Sequence, residues 1–335
     1  GALMTTGVQN TLIGGQAGDA LTTGVENVAV GYEALSTEDA HGKNVAIGRR
    51  ALKLLNAGAD GLNTAVGHQA GSAMTTGVQN TIMGGLAGDA LTTSNNNVLL
   101  GYQAGTNATI GNSNIAVGFQ ALYANVAGDR NVAVGTGALT FMTSASTADT
   151  YNVAVGYQAG LSVTTGTKNV LVGGLAGDAI TTGEYNIALG HNALSTEDTG
   201  SRNVAIGFEA LRDLNYDGTG YNVAMGWQAG LNMSTGTVNT IIGGLAGDAL
   251  TSGGANVALG YAALSTSVDG DYNTAVGYAA LEDYEDGDGN GHNTAVGAKS
   301  QLNATTGEFN TSLGSLSMGS GVLTGDKNVA IGHQS

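Results

Sequence analysis

A five-residue unit returns along the whole chain: Asn, a β-branched residue, a small or apolar residue, a large aliphatic residue, then Gly. With Asn as position zero, it starts at Asn10, Asn27, Asn44, Asn63, Asn80, Asn97, Asn114, Asn131, Asn152, Asn169, Asn186, Asn203, Asn222, Asn239, Asn256, Asn273, Asn293, Asn310 and Asn328. The usual interval is 17 residues and the exceptions run from 18 to 21, so every irregularity is a short insertion. Position one is always Val, Ile or Thr, position three always Val, Ile, Leu or Met, and position four always Gly. Positions one and three share a face at period two, and branched side chains suit a pleated strand. The glycines, among them Gly31, Gly48, Gly101, Gly118, Gly135, Gly190, Gly207 and Gly260, then turn the chain at low steric cost. Seventeen residues suffice for two short strands and two turns, but not for a βαβ unit of about 30 residues. The pattern predicts an all-β parallel solenoid of about 19 coils spanning 1–335 as one repeat array, cut mid-coil at both ends.

Residue sizes covary within the coil. Position two is usually Ala, with a larger residue at position five such as Tyr32, Phe119, Tyr157, Phe208 or Trp227. Where position two is bulky, position five becomes Gly: Leu12 with Gly15, Ile82 with Gly85, Leu171 with Gly174, Ile241 with Gly244. Leu99 with Tyr102 breaks the rule. The expectation is that positions two and five share one limited volume, because close packing punishes overfilling. Position eight is often Leu, and where it is Gly an apolar residue usually follows at position eleven, as with Leu21, Met74, Leu91 and Ile180. Longer coils place insertions near 52–62, 139–151, 211–221 and 281–292, which read as projecting loops.

The strand-leading asparagines, represented by Asn27, Asn44, Asn97, Asn114, Asn131, Asn186, Asn203 and Asn256, read as a stacked amide ladder in which each side chain bonds its copy in the next coil. Of the core asparagines only Asn310 begins an Asn-x-Ser/Thr sequon.

Composition agrees with a thin, repetitive core. The 335 residues include 57 Gly, no Pro and no Cys, and aromatics make up only 5%. An unbroken stack of strands excludes Pro from most positions. Absent Cys removes thiol catalysis, disulfides and Cys-based zinc sites. A formal net charge of −16 argues against nucleic acid or an anionic membrane as partner. No apolar run approaches the roughly 18 residues of a spanning helix, so no membrane insertion is expected. A single thin stack leaves apolar surface uncovered, which predicts self-association.

The segments Asn-Val-Ala-Ile-Gly-Phe-Glu-Ala (203–210) and Asn-Val-Ala-Val-Gly-Tyr-Gln-Ala-Gly (152–160) resemble the head repeats of trimeric autotransporter adhesins of the YadA type. They are more similar still to the Asn-Thr-Ala-Val-Gly-Tyr-Gln-Ala-Gly arrays of phage tail fibres. The resemblance covers essentially the whole chain, although the adhesin repeat is shorter. It implies a left-handed β-roll, a homotrimer, and the shaft of a virion tail fibre that supports attachment to a host-surface receptor or glycan. The alternatives are the head of a bacterial surface adhesin or an extracellular structural filament.

Candidate chemistry is sparse, and no enzyme is expected. Asp286-Gly-Asp288-Gly-Asn290-Gly matches the opening of a calcium loop, where alternating oxygens could wrap a hard cation. The twelfth position is Gly297 instead of a bidentate Glu, so an acidic solvated loop is the first reading and calcium the second. No other cofactor is expected. His68, His191 and His333 share position five with the aromatics and read as packing or surface residues. The pairs Glu38-Asp39 and Glu197-Asp198 recur at one coil position and read as surface turns rather than an acid/base site. The recurring Thr-Thr-Gly segments read as turn chemistry, not as an ice-binding face.

Overall fold

The computed structural model describes residues 3–144, 149–284 and 291–335. The chain forms two compact units, Gly1–Lys168 and Asn169–Ser335. The first holds nine three-residue strands: β1 (Thr11–Ile13), β2 (Val28–Val30), β3 (Val45–Ile47), β4 (Thr64–Val66), β5 (Thr81–Met83), β6 (Val98–Leu100), β7 (Ile115–Val117), β8 (Val132–Val134) and β9 (Val153–Val155). The second holds ten: β10 (Val170–Val172), β11 (Ile187–Leu189), β12 (Val204–Ile206), β13 (Val223–Met225), β14 (Thr240–Ile242), β15 (Val257–Leu259), β16 (Thr274–Val276), β17 (Thr294–Val296), β18 (Thr311–Leu313) and β19 (Val329–Ile331). Within each unit consecutive strands pair in parallel and in register, so Val28 lies over Val45 and Val204 over Val223. The fold is a parallel β-solenoid with a 17-residue coil, and the described residues contain no helix.

Each coil contributes one strand, not the two expected. The rest of the coil is a run of tight turns, because three positions besides the position-four Gly adopt the left-handed region. They are the residue before Asn (Gln9, Glu26, Lys43), position six (Gln16, Glu33, Arg50) and position eight (Leu35, Leu52, Leu122), all at φ of about 47–61°. Positive φ breaks the extended backbone a second strand would need. The turns are nonetheless bonded coil to coil: Leu35 N–H donates to Ala51 O at 3.0 Å, and Lys43 N–H to Val25 O at 3.0 Å. Backbone polar groups therefore find partners outside the strands as well. Threonine hydroxyls join in, with Thr22 donating to Asp39 O and Thr92 to Thr109 O.

The position-four glycine is required twice over. At Gly207, φ is +138°, and an added Cβ would lie 2.1 Å from Gly226 O in the next coil.

The interior is built from positions zero, two, seven, eight and eleven. Ala116, Ala121 and Leu122 stand there in one coil; Leu171, Ala176 and Ile180 stand there in another. Positions two and five do not share a volume: position two points inward, whereas Tyr102, Phe119 and Trp227 at position five are exposed. Bulk at position two is answered instead by Gly at position eight. A Cβ on Gly18 would sit 2.7 Å from Leu12 Cδ2 and 2.7 Å from Leu21 Cδ1; one on Gly88 would sit 2.8 Å from Leu99 Cδ1 and 2.7 Å from Leu91 Cδ1. Leu99, the exception in sequence, is accommodated in its own coil by Gly105, whose Cβ would lie 2.9 Å from Leu99 Cδ2. The position-eight/eleven compensation is thus one part of a three-way filling of the interior.

Glu38 and Glu197 occupy position eleven and are fully buried, so they are not surface-turn residues. Each caps the loop behind it. Glu197 accepts from Gly200 N–H at 2.6 Å and Tyr216 N–H at 3.3 Å; Glu38 accepts from His41 N–H and Ala57 N–H. Such backbone donors are what allow a carboxylate into this interior.

Candidate interaction surface

The asparagine ladder lies inside each unit. Asn27, Asn44, Asn97, Asn114, Asn131, Asn186, Asn203 and Asn256 are all at most 2% exposed. Each Oδ1 with a successor accepts the backbone N–H of the next Asn, as in Asn114 to Asn97 (2.9 Å), Asn131 to Asn114 (2.9 Å) and Asn203 to Asn186 (3.0 Å). In the 17-residue coils Nδ2 donates to a carbonyl where the same coil closes: Asn27 to His41 O, Asn97 to Gly111 O, Asn186 to Gly200 O and Asn256 to Gly270 O. Asn44, Asn131 and Asn203, which begin longer coils, donate instead to the carbonyl two residues back, Gly42 O, Asp129 O and Ser201 O. Direct side-chain rungs are an additional bond in some coils, such as Asn131 Nδ2 to Asn114 Oδ1 at 3.0 Å. The residue type is explained by this double task, since one amide offers an acceptor to the next coil and a donor to a backbone carbonyl at a coil junction. From Asn27 to Asn310 the ladder is inaccessible from outside.

Gly31, Gly48, Gly101, Gly118, Gly135, Gly190, Gly207 and Gly260 line up behind the strands at φ of +133° to +143°. They let successive coils approach closely and carry no chemistry of their own.

What faces outward is apolar. Positions one and three of each strand point away from the interior, leaving Ile13, Ile47, Met83 and Ile115 exposed in the first unit. Met225, Val257, Leu259 and Leu313 are their counterparts in the second. Beside this face, position five forms stacked aromatic ladders. His191 and Phe208 rings lie 5.6 Å apart, Phe208 and Trp227 6.4 Å, and Tyr261 and Tyr278 5.7 Å, with interplanar angles of 11°. Tyr102 and Phe119 stack at 6.0 Å in the first unit. A second ladder runs along the residue preceding Asn. There Arg202 lies between Tyr185 and Tyr221 at 5.2 and 5.9 Å, and His292 stacks between Tyr272 and Phe309 at 4.8 and 4.9 Å. Cation–π contacts of this sort stabilise exposed sites by about 0.5–1 kcal/mol. Ala255 in the same row leaves a hollow of about 320 Å³ bordered by Val238, Tyr272 and Asp271. The ladders follow from the coil geometry: identical positions in neighbouring coils are neighbours in space.

The titratable groups are scattered. Burial raises the Glu197 carboxyl above its ordinary value against the pull of the Gly200 and Tyr216 amides. Asp89, Asp178 and Asp248, all at position nine, are likewise raised by burial, and each has a buried Oδ1 without a partner. Half-buried Glu33 is lowered, chiefly by its hydrogen bond from Lys53. Glu38, Asp39 and His41 present ligand atoms within 4.8 Å of one another. The corresponding Glu197 loop has Gly200 where the first has His41. His68 and His191 stand at position five, His68 beside Arg49 at 3.2 Å and His191 on Phe208. Asp286, Asp288 and Asn290, the residues of the calcium motif, lie outside the described residues.

Sequence reasoning missed the row before Asn. Its signal was available as the recurrence of Tyr151, Tyr185, Tyr221 and Tyr272 at one coil position, interleaved with Arg130, Lys168 and Arg202. No protein-family model matches this chain, and no curated protein sequence matches it either.

Proposed function

We propose that this chain is the shaft of a trimeric virion fibre that supports attachment to a host surface, and that its role is structural rather than catalytic. The observation that carries the reading is the outward strand face. Position three presents a continuous row of Val, Ile, Leu and Met within each unit, flanked by Val, Ile or Thr at position one, and water-exposed apolar rows of this extent mark association surfaces. The Asn and Gly rows stiffen the coil stack, the property a spacer needs. The likeness of 152–160 to tail-fibre repeats supplies the number three and the virion. Calcium at Asp286, Asp288 and Asn290 would be a local reinforcement of one loop.

Native mass in solution tests the assembly, with three times the 33.1 kDa chain expected. Ile47→Glu together with Leu259→Glu, both outward at position three, should reduce that mass to one chain while the circular dichroism stays unchanged. A wild-type monomer refutes the trimer. Antibody raised against the chain should decorate virion fibres; decoration of bacterial cells instead would favour the adhesin alternative.

A further inference from the structure

The position-five ladder has missing rungs, and nothing inside the protein accounts for them. Gly15, Gly85, Gly174 and Gly244 interrupt the row. None of the four has positive φ, so the backbone does not demand glycine. Nor does space: an added Cβ would meet its nearest neighbour at 3.4–3.5 Å, ordinary contact distance, and that neighbour is in each case the exposed ring of the next coil. Thr136, Ala298 and Ser315 show that position five accepts a β-carbon. The bulky residue at position two of these coils is no explanation, since it is accommodated at position eight.

What the glycine does is keep a ring face open. At Gly244, Tyr261 stands on one side with Cδ2 3.5 Å from the absent β-carbon. Trp227 stands at the same position in the preceding coil, its ring stacked on Phe208 and half exposed. Two coil steps of about 4.8 Å leave a centred ring about 4.8 Å from each neighbour, inside the 4.5–7 Å range of stacked aromatic pairs. The gap at Gly85, between His68 and Tyr102, repeats the arrangement in the first unit. Both walls of the Gly244 gap are π-faces, which carry partial negative charge, and the chain has a net charge of −16. We infer that the Gly244 gap is a binding slot for a small, planar, cationic aromatic molecule, which stacks between Trp227 and Tyr261 as the missing rung. This does not depend on the fibre reading: a monomeric chain would bind equally well.

Trp227 is the only tryptophan, so its fluorescence reports the slot directly. The probe is 1-methylnicotinamide, a flat pyridinium, with neutral nicotinamide and non-planar tetramethylammonium as comparators. Saturable quenching by the pyridinium is expected, with nicotinamide several-fold weaker and no saturation by tetramethylammonium. Gly244→Tyr fills the rung and should weaken binding at least about tenfold. Gly244→Leu, a second way to block the slot, should do the same, and Gly85→Tyr should leave the Trp227 signal unchanged. Linear quenching of equal slope in wild type and Gly244→Tyr overturns the proposal. So does a wild type that is not quenched and whose native mass falls on Gly244→Tyr, because a second copy would then fill the gap.

Discussion

Removing one rung of the asparagine ladder isolates what the repeat does for stability. Asn114 accepts Asn131 N–H at 2.9 Å and Asn131 Nδ2 at 3.0 Å, and donates to Gly128 O at 2.9 Å. Asn114→Ala deletes all three bonds, but two losses are cushioned. Gly128 O keeps a bond from Asn125 Nδ2 at 2.8 Å, and Asn131 Nδ2 keeps one to Asp129 O at 3.2 Å. The backbone N–H of Asn131 has no such substitute and is left buried. An orphaned buried donor costs about 1–3 kcal/mol, and the small void adds to it, so the total should be about 2–4 kcal/mol. Asn328, exposed and at an outer rung, supplies the contrast: Asn328→Ala should cost about 0.5 kcal/mol or less. Asn114→Asp keeps the acceptor but turns a second oxygen towards Gly128 O. Its buried carboxyl should bind a proton more strongly than in the unfolded chain. The variant should therefore be weak at neutral pH and recover as pH falls. Urea unfolding followed by circular dichroism gives the losses, and hydrogen exchange at Asn131 places them. Asn114→Ala costing under about 0.5 kcal/mol, or no more than Asn328→Ala, would refute the assignment of the ladder as the coil-to-coil clamp.

Gly207→Ala drives a β-carbon against the Gly226 carbonyl and should unfold the neighbouring coils, whereas Gly58→Ala, at φ +68° with open space around it, should cost about 1–2 kcal/mol by thermal melt. Stability should rise as pH is lowered from neutral towards the ordinary carboxylate range. Glu197, Asp89, Asp178 and Asp248 have raised folded-state pKa values, so their stabilising contribution is complete below the unfolded values and is lost as pH rises through the folded ones. Glu33, lowered by its lysine and arginine partners, works in the opposite direction. Glu197→Gln should flatten part of the profile, and a melting temperature that falls steadily over this range would contradict the sign. Val238→Asn should stabilise by about 1 kcal/mol, because a β-branched residue at φ +62° is strained and Asn tolerates that region. An unchanged or lower melting temperature would show that the Val238 side chain makes contacts worth more than the strain.

The 17-residue period, the strand at positions one to three and the turn glycine were legible because each repeats and each has a local cause: β-branching for the strand, a missing β-carbon for the turn. The second strand was not there to be found, and the sequence hid the reason. Gln16, Leu35 and Glu26 carry no mark of the left-handed conformation they adopt; coil-to-coil bonding imposes it. The pairing of positions two and five was a true correlation with the wrong cause. A sequence reports that Leu12 and Gly15 occur together, yet not that one side chain points inward and the other position outward. Leu99 beside Tyr102 was the useful discrepancy, because it separates the two causes. Every coil with bulk at position two has Gly at position eight, Gly105 in the case of Leu99, while Gly at position five can be dispensed with. Glu38 and Glu197 were misplaced for a related reason: a charged residue reads as surface unless the amides that receive it, here those of residues 41, 57, 200 and 216, are known to converge. Packing inside the coil thus explains the glycine at position eight and leaves the one at position five to be explained from outside, by whatever lies against Trp227 and Tyr261.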